Sequence, residues 1–314
     1  MPLDDAPHAA PMLGRRVDGR INEKRIPRGQ RQQPPYPTLW RLLRALRPPA
    51  PDERPPGVPR LRYRFPPRWL FAMGRDMLRG RPRSFRADCA LAVHLLPAPP
   101  VIEGQEHVPA HGSFVLVANH YQRRDLWIGW PGALLCHALW RVRDDLTCHF
   151  VATDRAVLDG ATVPWTPWAF ARVARVWDFI LVTPPEALDT AGGGSRRHAL
   201  GRCLRLLKRD DGRSACLALF PEGMNGSTRG LTAPAPGSGR SLLALAAAGA
   251  PLLPAAVWED AGGALRVRFG APWHLAVPTI QGTPDKRDLD AWAGDDALAH
   301  IAALLPERLR GGYG

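Results

Sequence analysis

Two kinds of hydrophobic pattern alternate along most of this chain. Short runs of consecutive apolar residues are typical of buried strands, whereas apolar residues that recur every three or four positions indicate amphipathic helices. One further run, residues 265–269, alternates apolar residues with arginine and predicts an edge strand. The buried strands predicted in this way cover residues 101–104, 114–118, 148–152, 179–182, 215–220 and 251–257.

Helical segments separate these strands along the chain. The apolar run from 126 to 140 predicts a buried helix that Pro131 either kinks or starts. Thr283 and Pro284 predict the cap and the first residue of a last helix, which ends near residue 305. Alternation of strands with helices favours an α/β fold. The other predicted helices cover residues 67–73, 84–96, 164–176, 195–208 and 238–249, the last of them closed by Gly249.

Composition divides the chain into four parts. The first is rich in proline, arginine and glutamine without periodicity, and such a segment buries too little apolar surface to fold. A proline-rich stretch at 97–100 marks the start of the main domain. The predicted parts are a disordered basic arm (1–35), a basic helical membrane-association segment (36–97), the main domain (98–277) and a C-terminal helix packed on that domain (278–314).

The positive charge of the chain is confined to its N-terminal quarter. The net charge is +13, from 42 basic and 29 acidic residues. Residues 1–86 contain 20 basic and 7 acidic residues, and the remainder contains 22 of each. A basic appendage on a neutral domain suits a membrane surface with anionic lipid or an acidic carrier protein. Nucleic acid is not an expected partner, because the sequence carries no nucleic-acid-binding motif.

The apolar and basic residues around 39–46 indicate how the basic region could bind a membrane surface. Trp40 and several leucines share one helical face, opposite Arg41, Arg44 and Arg47. Such a helix can lie in a membrane interface, where each basic residue near an anionic leaflet contributes about 1 kcal/mol. A helix packed on the domain with a solvated basic face explains the same pattern.

Several absences bear on where the protein works. No apolar stretch reaches the ~18–20 residues of a membrane span. The N-terminal residues lack the apolar core of a signal peptide. The five cysteines are widely spaced, which predicts neither a disulfide framework nor a zinc site and fits a reducing compartment. We therefore expect a cytoplasmic protein that is peripheral on the inner face of the membrane.

The candidate chemistry begins where the strand at 114–118 ends. Asn119 and His120 follow that strand directly, and Asp125 comes five residues after the histidine. Ligands of open α/β sheets bind beyond the carboxyl ends of the strands, so His120 is a candidate general base and Asp125 its orienting acid. Five residues of helix turn by about 500°, so the pair can meet only if the intervening segment is not helical. A loop histidine beside a helix-capping aspartate is the alternative.

A second polar motif follows the strand at 215–220. Pro221, Glu222 and Gly223 come directly after Phe220, which places a carboxylate in the crevice expected to hold His120. The alternative role for Glu222 is a hydrogen bond to the backbone of its own loop.

With these motifs in this order, the sequence resembles the glycerolipid acyltransferase family, which includes the 1-acylglycerol-3-phosphate acyltransferases. The resemblance covers about residues 98–275. The first family block, N-H-x₄-D, is matched by Asn119, His120 and Asp125. The third block, F-P-E-G, is matched by residues 220–223, and the proline-flanked fourth block by residues 251–256. The resemblance implies a mixed, largely parallel sheet flanked by helices.

The resemblance also implies an activity. An acyl group would pass from the thioester of acyl-CoA or an acyl carrier protein to a hydroxyl of a lysophospholipid or related lipid-like acceptor, with no metal or other cofactor. His120 would be the general base and Asp125 its partner. Trp127 and Trp130 would either line the acyl channel or belong to the core. The predicted substrate-binding residues are Asn119, Glu222, Gly223, Arg123, Arg124 and Arg229.

The departures from the family pattern concern the acceptor. Two arginines that family members are thought to use on the acceptor phosphate are absent, and Val182 and Asn225 stand in their places. Either Arg123, Arg124 or Arg229 replaces them, or the acceptor has no phosphomonoester. A rival interpretation is a non-catalytic membrane-binding protein on the same fold. The intact His120 and Asp125 argue against it, because a binding module has no use for such a pair.

Overall fold

A computed structural model of the chain describes residues 61, 63–123, 126–158, 161–184, 194–209, 211–223, 229–276 and 285–314. Four sets of predictions lie outside these residues. They concern the basic arm at 1–35, the interfacial helix at 39–46, the helix start at Thr283 and Pro284, and the roles of Arg124 and Asp125.

The core of the described chain is a seven-stranded sheet in the order β1-β9-β8-β2-β7-β3-β6. Every neighbouring pair is parallel except β8 and β9. This arrangement confirms the predicted α/β fold with a mixed, largely parallel sheet. The strands are β1 (Val101–Glu103), β2 (Phe114–Ala118), β3 (Leu146–Thr153), β6 (Ile180–Val182), β7 (Ser214–Leu219), β8 (Leu252–Glu259) and β9 (Leu265–Phe269), and a separate hairpin pairs β4 (Val157–Leu158) with β5 (Ala161–Thr162).

Strand β2 lies at the centre of the sheet, and all five of its side chains are buried. It pairs with β7 on one side and β8 on the other, with Val115 opposite both Leu217 and Leu252. A strand that is buried on both faces has no polar positions to alternate, which explains the unbroken apolar run in the sequence. The residues after β2 therefore emerge at the middle of the carboxyl edge of the sheet.

The prediction that residues 265–269 form an edge strand was wrong. β1 pairs outside β9, so β9 has a neighbour on each side. The arginines of β9 alternate with buried residues because one face of the strand is polar. Glu103 of β1 accepts hydrogen bonds from Arg268 (2.7 Å) and Arg266 (3.3 Å) on that face.

Helices cover the sheet at the predicted places in the chain, although α1 (Pro67–Arg79) continues well beyond its predicted end at residue 73. Helix α3 (Gly129–Trp140) is apolar except for His137, and Pro131 lies in its first turn, where a missing N–H costs no hydrogen bond. Asp285 caps the last helix by accepting from Arg287 N. The helix predicted at 238–249 is shorter and ends at Ala246. The described helices are α1 (Pro67–Arg79), α2 (Phe85–His94), α3 (Gly129–Trp140), α4 (Thr166–Trp177), α5 (Gly194–Leu207), α6 (Ser238–Ala246) and α7 (Lys286–Leu304).

A buried carboxylate joins the N-terminal helices to the domain. Asp88 of α2 accepts hydrogen bonds from Trp69 of α1 (2.9 Å), Trp177 of α4 (2.8 Å) and both Nε and NH2 of Arg83 (2.9 and 2.6 Å). Burial alone would raise the pKa of Asp88, but these donors hold it below its usual value. Three helices thus converge on one ionised side chain.

Two further features bear on the sequence-based expectations. All five cysteines are buried free thiols. None of the helices in the described part of the chain combines the length and hydropathy needed to cross a bilayer.

Candidate active site

Asn119 extends the pairing between β2 and β8 beyond the last residue of β2. Its Oδ1 accepts from Val257 N at 2.7 Å, and its Nδ2 donates to Val257 O at 2.9 Å. The side-chain amide thereby takes the place of a backbone peptide group opposite β8. Asn119 was predicted to bind substrate, but the structure places both polar atoms of its side chain on the Val257 backbone.

His120 follows at the carboxyl edge of the sheet with its backbone held by a carboxylate. Its N–H donates to Glu222 Oε2 at 2.7 Å. The imidazole is buried and meets the ring of Phe220 edge-on, with 5.2 Å between centroids. Within the described residues, the buried Nδ1 atom has no hydrogen-bond partner.

The electrostatics of His120 suit a base. Burial lowers the pKa of the imidazole from 6.5 to about 4, because desolvation penalises the charged form. The ring is therefore neutral near pH 7, with a lone pair available to accept a proton. A partner at Nδ1 would fix which nitrogen carries that lone pair.

The described residues that follow His120, up to α3, are not helical. This is the condition under which His120 and Asp125 can come together. Arg123 and Leu126 exchange two backbone hydrogen bonds of 3.0 Å each, and α3 begins only at Gly129. The backbone on each side of residues 124 and 125 is thus paired. The role of Asp125 stays a prediction.

Glu222 lies beside His120, as its position after β7 predicted, and it also binds the backbone of its own loop. Its Oε2 accepts from His120 N, while Oε1 accepts from Thr232 N (2.8 Å) and Thr232 Oγ1 (3.1 Å). Burial raises the pKa of Glu222, and the hydrogen bonds from Thr232 and His120 oppose that rise. The carboxylate thus ties the loop after β2 to the loop after β7.

Gly223 makes the turn that places Glu222. It has φ +65°, a left-handed conformation that strongly favours glycine. Its N–H donates to Phe220 O at 2.9 Å, and a Cβ at this position would lie only 2.9 Å from the Cβ of Ala235. Gly223 was predicted to bind substrate, and that role stays a prediction, whereas the structure gives this glycine a backbone role in the turn.

Arg123 lies in a buried ion pair that sequence reasoning missed. Its Nε and NH2 donate to the two carboxylate oxygens of Glu259, at 2.9 and 2.8 Å. Tyr63 (3.0 Å) and Tyr121 (3.4 Å) also donate to Glu259. The one sequence signal was a glutamate at the end of an otherwise apolar strand. Contact of Arg123 with an acceptor anion would require this pair to break.

Two other arginines lie near the positions, in space or in sequence, at which this chain lacks the arginines of the family pattern. Arg196 of α5 donates from Nε to Thr183 O at 2.9 Å, one residue past Val182 at the end of β6. Sequence reasoning did not select Arg196. Arg229 is exposed, just before the loop that carries Thr232.

The two tryptophans after the histidine motif differ in environment. Trp130 is 3% exposed and stacks on Phe65, with 4.2 Å between centroids. Trp127 is 55% exposed. Trp130 therefore belongs to the core, and Trp127 does not.

Comparisons with known proteins agree with the motifs. The sequence matches the family model described as Acyltransferase over residues 100–258, more than half of the chain. Among solved structures, the 1-acyl-sn-glycerophosphate (LPA) acyltransferase PlsC from Thermotoga maritima matches with a TM-score of 0.40 and 16% identity, over 75% of this chain and 83% of that one. No curated protein matches the sequence significantly. Within the described residues, no group of three or more His, Cys, Asp or Glu side chains could hold a metal ion.

Proposed function

We propose, because this chain belongs to the acyltransferase family, that it moves a fatty acyl group from an acyl-CoA or acyl carrier protein thioester to a hydroxyl of a lysophospholipid or related lipid-like acceptor. One observation carries the proposal. A histidine kept neutral by burial lies just past the carboxyl end of the central strand, with its backbone fixed by Glu222. A non-catalytic membrane-binding protein would need no such group.

In the proposed reaction, His120 accepts the proton of the acceptor hydroxyl as its oxygen attacks the thioester carbonyl. The tetrahedral intermediate collapses, the thiolate leaves, and the imidazolium returns the proton to sulfur. We assign Asp125 the role of stabilising the imidazolium and keeping the ring in the productive tautomer. General-base catalysis of this kind contributes typically ~10²–10⁴-fold.

We propose a lipid-like alcohol other than lysophosphatidate as the acceptor, with lysophosphatidate as the alternative. Tight binding of a phosphomonoester calls for bidentate guanidinium contacts or for several backbone N–H donors. Val182 and Asn225 cannot supply them, and Arg123 is engaged by Glu259. The candidates for a displaced phosphate contact are therefore Arg124, Arg196 and Arg229.

The deciding experiment offers labelled acyl-CoA with lysophosphatidate, a neutral lyso-lipid or a hydroxylated lipid, and compares kcat/KM. We expect the wild type to prefer an uncharged acceptor and Arg229→Ala to leave that preference unchanged. Arg213→Ala is the matched control, because Arg213 precedes β7 at the opposite edge of the sheet.

One result would contradict the proposed acceptor, and another would contradict the proposed acyl transfer itself. A strong preference for lysophosphatidate that is lost in Arg229→Ala, or in Arg196→Ala, would show that an arginine at a different sequence position binds the acceptor phosphate. An absence of both acyl transfer and slow acyl-CoA hydrolysis would favour the non-catalytic alternative.

We also propose that the N-terminal helices hold the protein on a membrane surface with anionic lipid. The outward face of α1 supports this, because Phe71 (76% exposed) and Leu78 (65% exposed) lie two turns apart on it. Arg68, Arg75 and Arg79 are exposed beside them. An apolar stripe next to a basic one suits the headgroup region of the inner leaflet.

Phe71→Gln combined with Leu78→Gln should weaken binding to anionic vesicles. Inserting each apolar side chain contributes roughly 1.5–3 kcal/mol, so the double variant should lose at least about a hundredfold in affinity. Changing Arg68, Arg75 and Arg79 to Gln should instead reduce the salt dependence of binding. Val142→Gln is the control, because Val142 is a similarly exposed apolar residue just after α3. Equal binding of the unmodified protein to neutral and anionic vesicles in sedimentation would refute the charge contribution.

A further inference from the structure

The last nine residues of the chain form two short 3-10 turns, Glu307–Leu309 and Gly311–Tyr313. The side chain of Leu309 is buried in the main core. Tyr313 Oη donates to Asp295 Oδ1 of α7 at 2.7 Å, which fixes the second turn to the last helix. We call residues 306–314 the C-terminal turns.

The C-terminal turns reach the base through the loop after β7. Leu309 O accepts from Leu231 N at 3.0 Å. Gly311 adopts φ +59°, and its backbone lies so close to Leu231 that a Cβ would overlap the Leu231 carbonyl oxygen. Thr232, the next residue, donates twice to Glu222, and Glu222 accepts the N–H of His120.

A second connection starts from the neighbouring residue of the same turns. Arg308 NH2 donates to Glu259 O at 3.4 Å. The carboxylate of Glu259 holds Arg123 in the buried ion pair, three residues beyond His120. The two connections therefore begin in adjacent residues and converge on the segment that follows β2.

We infer that the C-terminal turns are a positioning element for His120. Gly311 is the residue that sets how closely these turns approach Leu231 in the loop after β7. The catalytic part of this inference rests on the proposed function. Catalysis by a positioned base tolerates little displacement, and a shift of about 1 Å can cost roughly 10²-fold in rate. A side chain at 311 would push on Leu231 and so on the support of His120.

Gly311→Ala tests the inference, with Gly312→Ala as the matched control. A Cβ at Gly312 meets nothing within 4 Å, so the control adds the same methyl group one residue away. We expect Gly311→Ala to lower kcat roughly tenfold or more with little change in KM, at a temperature where both variants are folded. A change that only reduced the folded fraction would lower the apparent amount of enzyme and leave the pH profile unchanged, but it would speed the exchange of all strongly protected amides, including those of β1 and β9.

Hydrogen exchange gives a readout that needs no activity. The His120 amide is bonded to a buried carboxylate, so exchange in the peptide that contains it should be slow in the wild type and in Gly312→Ala. Gly311→Ala should speed that exchange, roughly tenfold, without affecting amides of β1 and β9. If Gly311→Ala does not fold, Tyr313→Phe loosens the same turns by removing the bond to Asp295 and should speed exchange at His120 in the same way.

The inference is overturned if the folded Gly311 or Tyr313 variant matches Gly312→Ala in His120 exchange. It is also overturned if an active wild type and Gly311→Ala have the same kcat. Failure of the proposed function would look different, because the wild type would then lack acyl transfer while the exchange difference persisted.

Discussion

His120→Ala is expected to abolish acyl transfer, with kcat lowered by ~10²–10⁴-fold. The substitution removes the only group we assign to accept the hydroxyl proton. It leaves the backbone bond to Glu222 intact, because that bond uses the main-chain N–H. The variant should therefore keep the circular dichroism spectrum of the wild type. His107→Ala, which removes a partly exposed histidine from the turn after β1, is the control. Near wild-type turnover in His120→Ala would show that another group is the base.

The pH dependence of the wild type follows from the same residue. Burial holds the pKa of His120 at about 4, below the ordinary 6.5, so the base becomes protonated only under quite acidic conditions. The acid limb of kcat/KM for the free enzyme should thus lie well below pH 6.5. Stability should rise with pH between about 4 and 6.5, because the unfolded chain binds a proton there that the folded ring does not. An acid limb of kcat/KM at or above pH 6.5 would contradict the inference that burial lowers the pKa of His120.

Glu222→Gln is expected to lower kcat by roughly 10²-fold, since the base would lose its fixed position. The new amide must turn an NH₂ group toward either His120 N or the Thr232 donors, so one set of buried donors loses its acceptor. Leaving such a group unsatisfied costs about 1–3 kcal/mol, and the free energy of unfolding should fall by that amount.

Thr232→Val separates the loss of one hydrogen bond from the loss of the carboxylate. It removes the Oγ1 donor to Glu222 and leaves the backbone donor of Thr232 in place. We expect a loss of stability of about 1 kcal/mol and a small effect on kcat. An unimpaired Glu222→Gln enzyme would mean that the bond to His120 N does not position the base.

The sequence predicts those parts of the fold that depend on local pattern. Strand β2 was foreseen because burial on both faces leaves only apolar residues along it. β9 was misassigned because a strand with one solvated, ion-paired face has the same alternation as an edge strand. Trp127 and Trp130 could not be separated, since the apolar run predicts one helix from residue 126 whereas α3 begins at Gly129 and leaves Trp127 outside it.

The sequence indicated the motifs of the candidate site, but it did not indicate the residues that hold those motifs in place. His120, Glu222 and Gly223 belong to short motifs that can be recognised one at a time. The partners Arg123 and Glu259 are separated by 136 positions, and no local pattern connects them. Pairs of this kind become visible only when the sheet order brings distant strands together.

The order of synthesis has a bearing on this site. The polar side-chain supports of Asn119 and His120 come from far later in the chain: Glu222 is 102 residues after His120, and Val257 is 138 after Asn119. The C-terminal turns are synthesised later still. Since domains form their distant contacts late, a nascent chain contains the histidine long before it contains anything to hold it. The potential base is therefore made well before the residues that hold it, and its supported position can form only after residues 222–257 and the C-terminal turns have been synthesised.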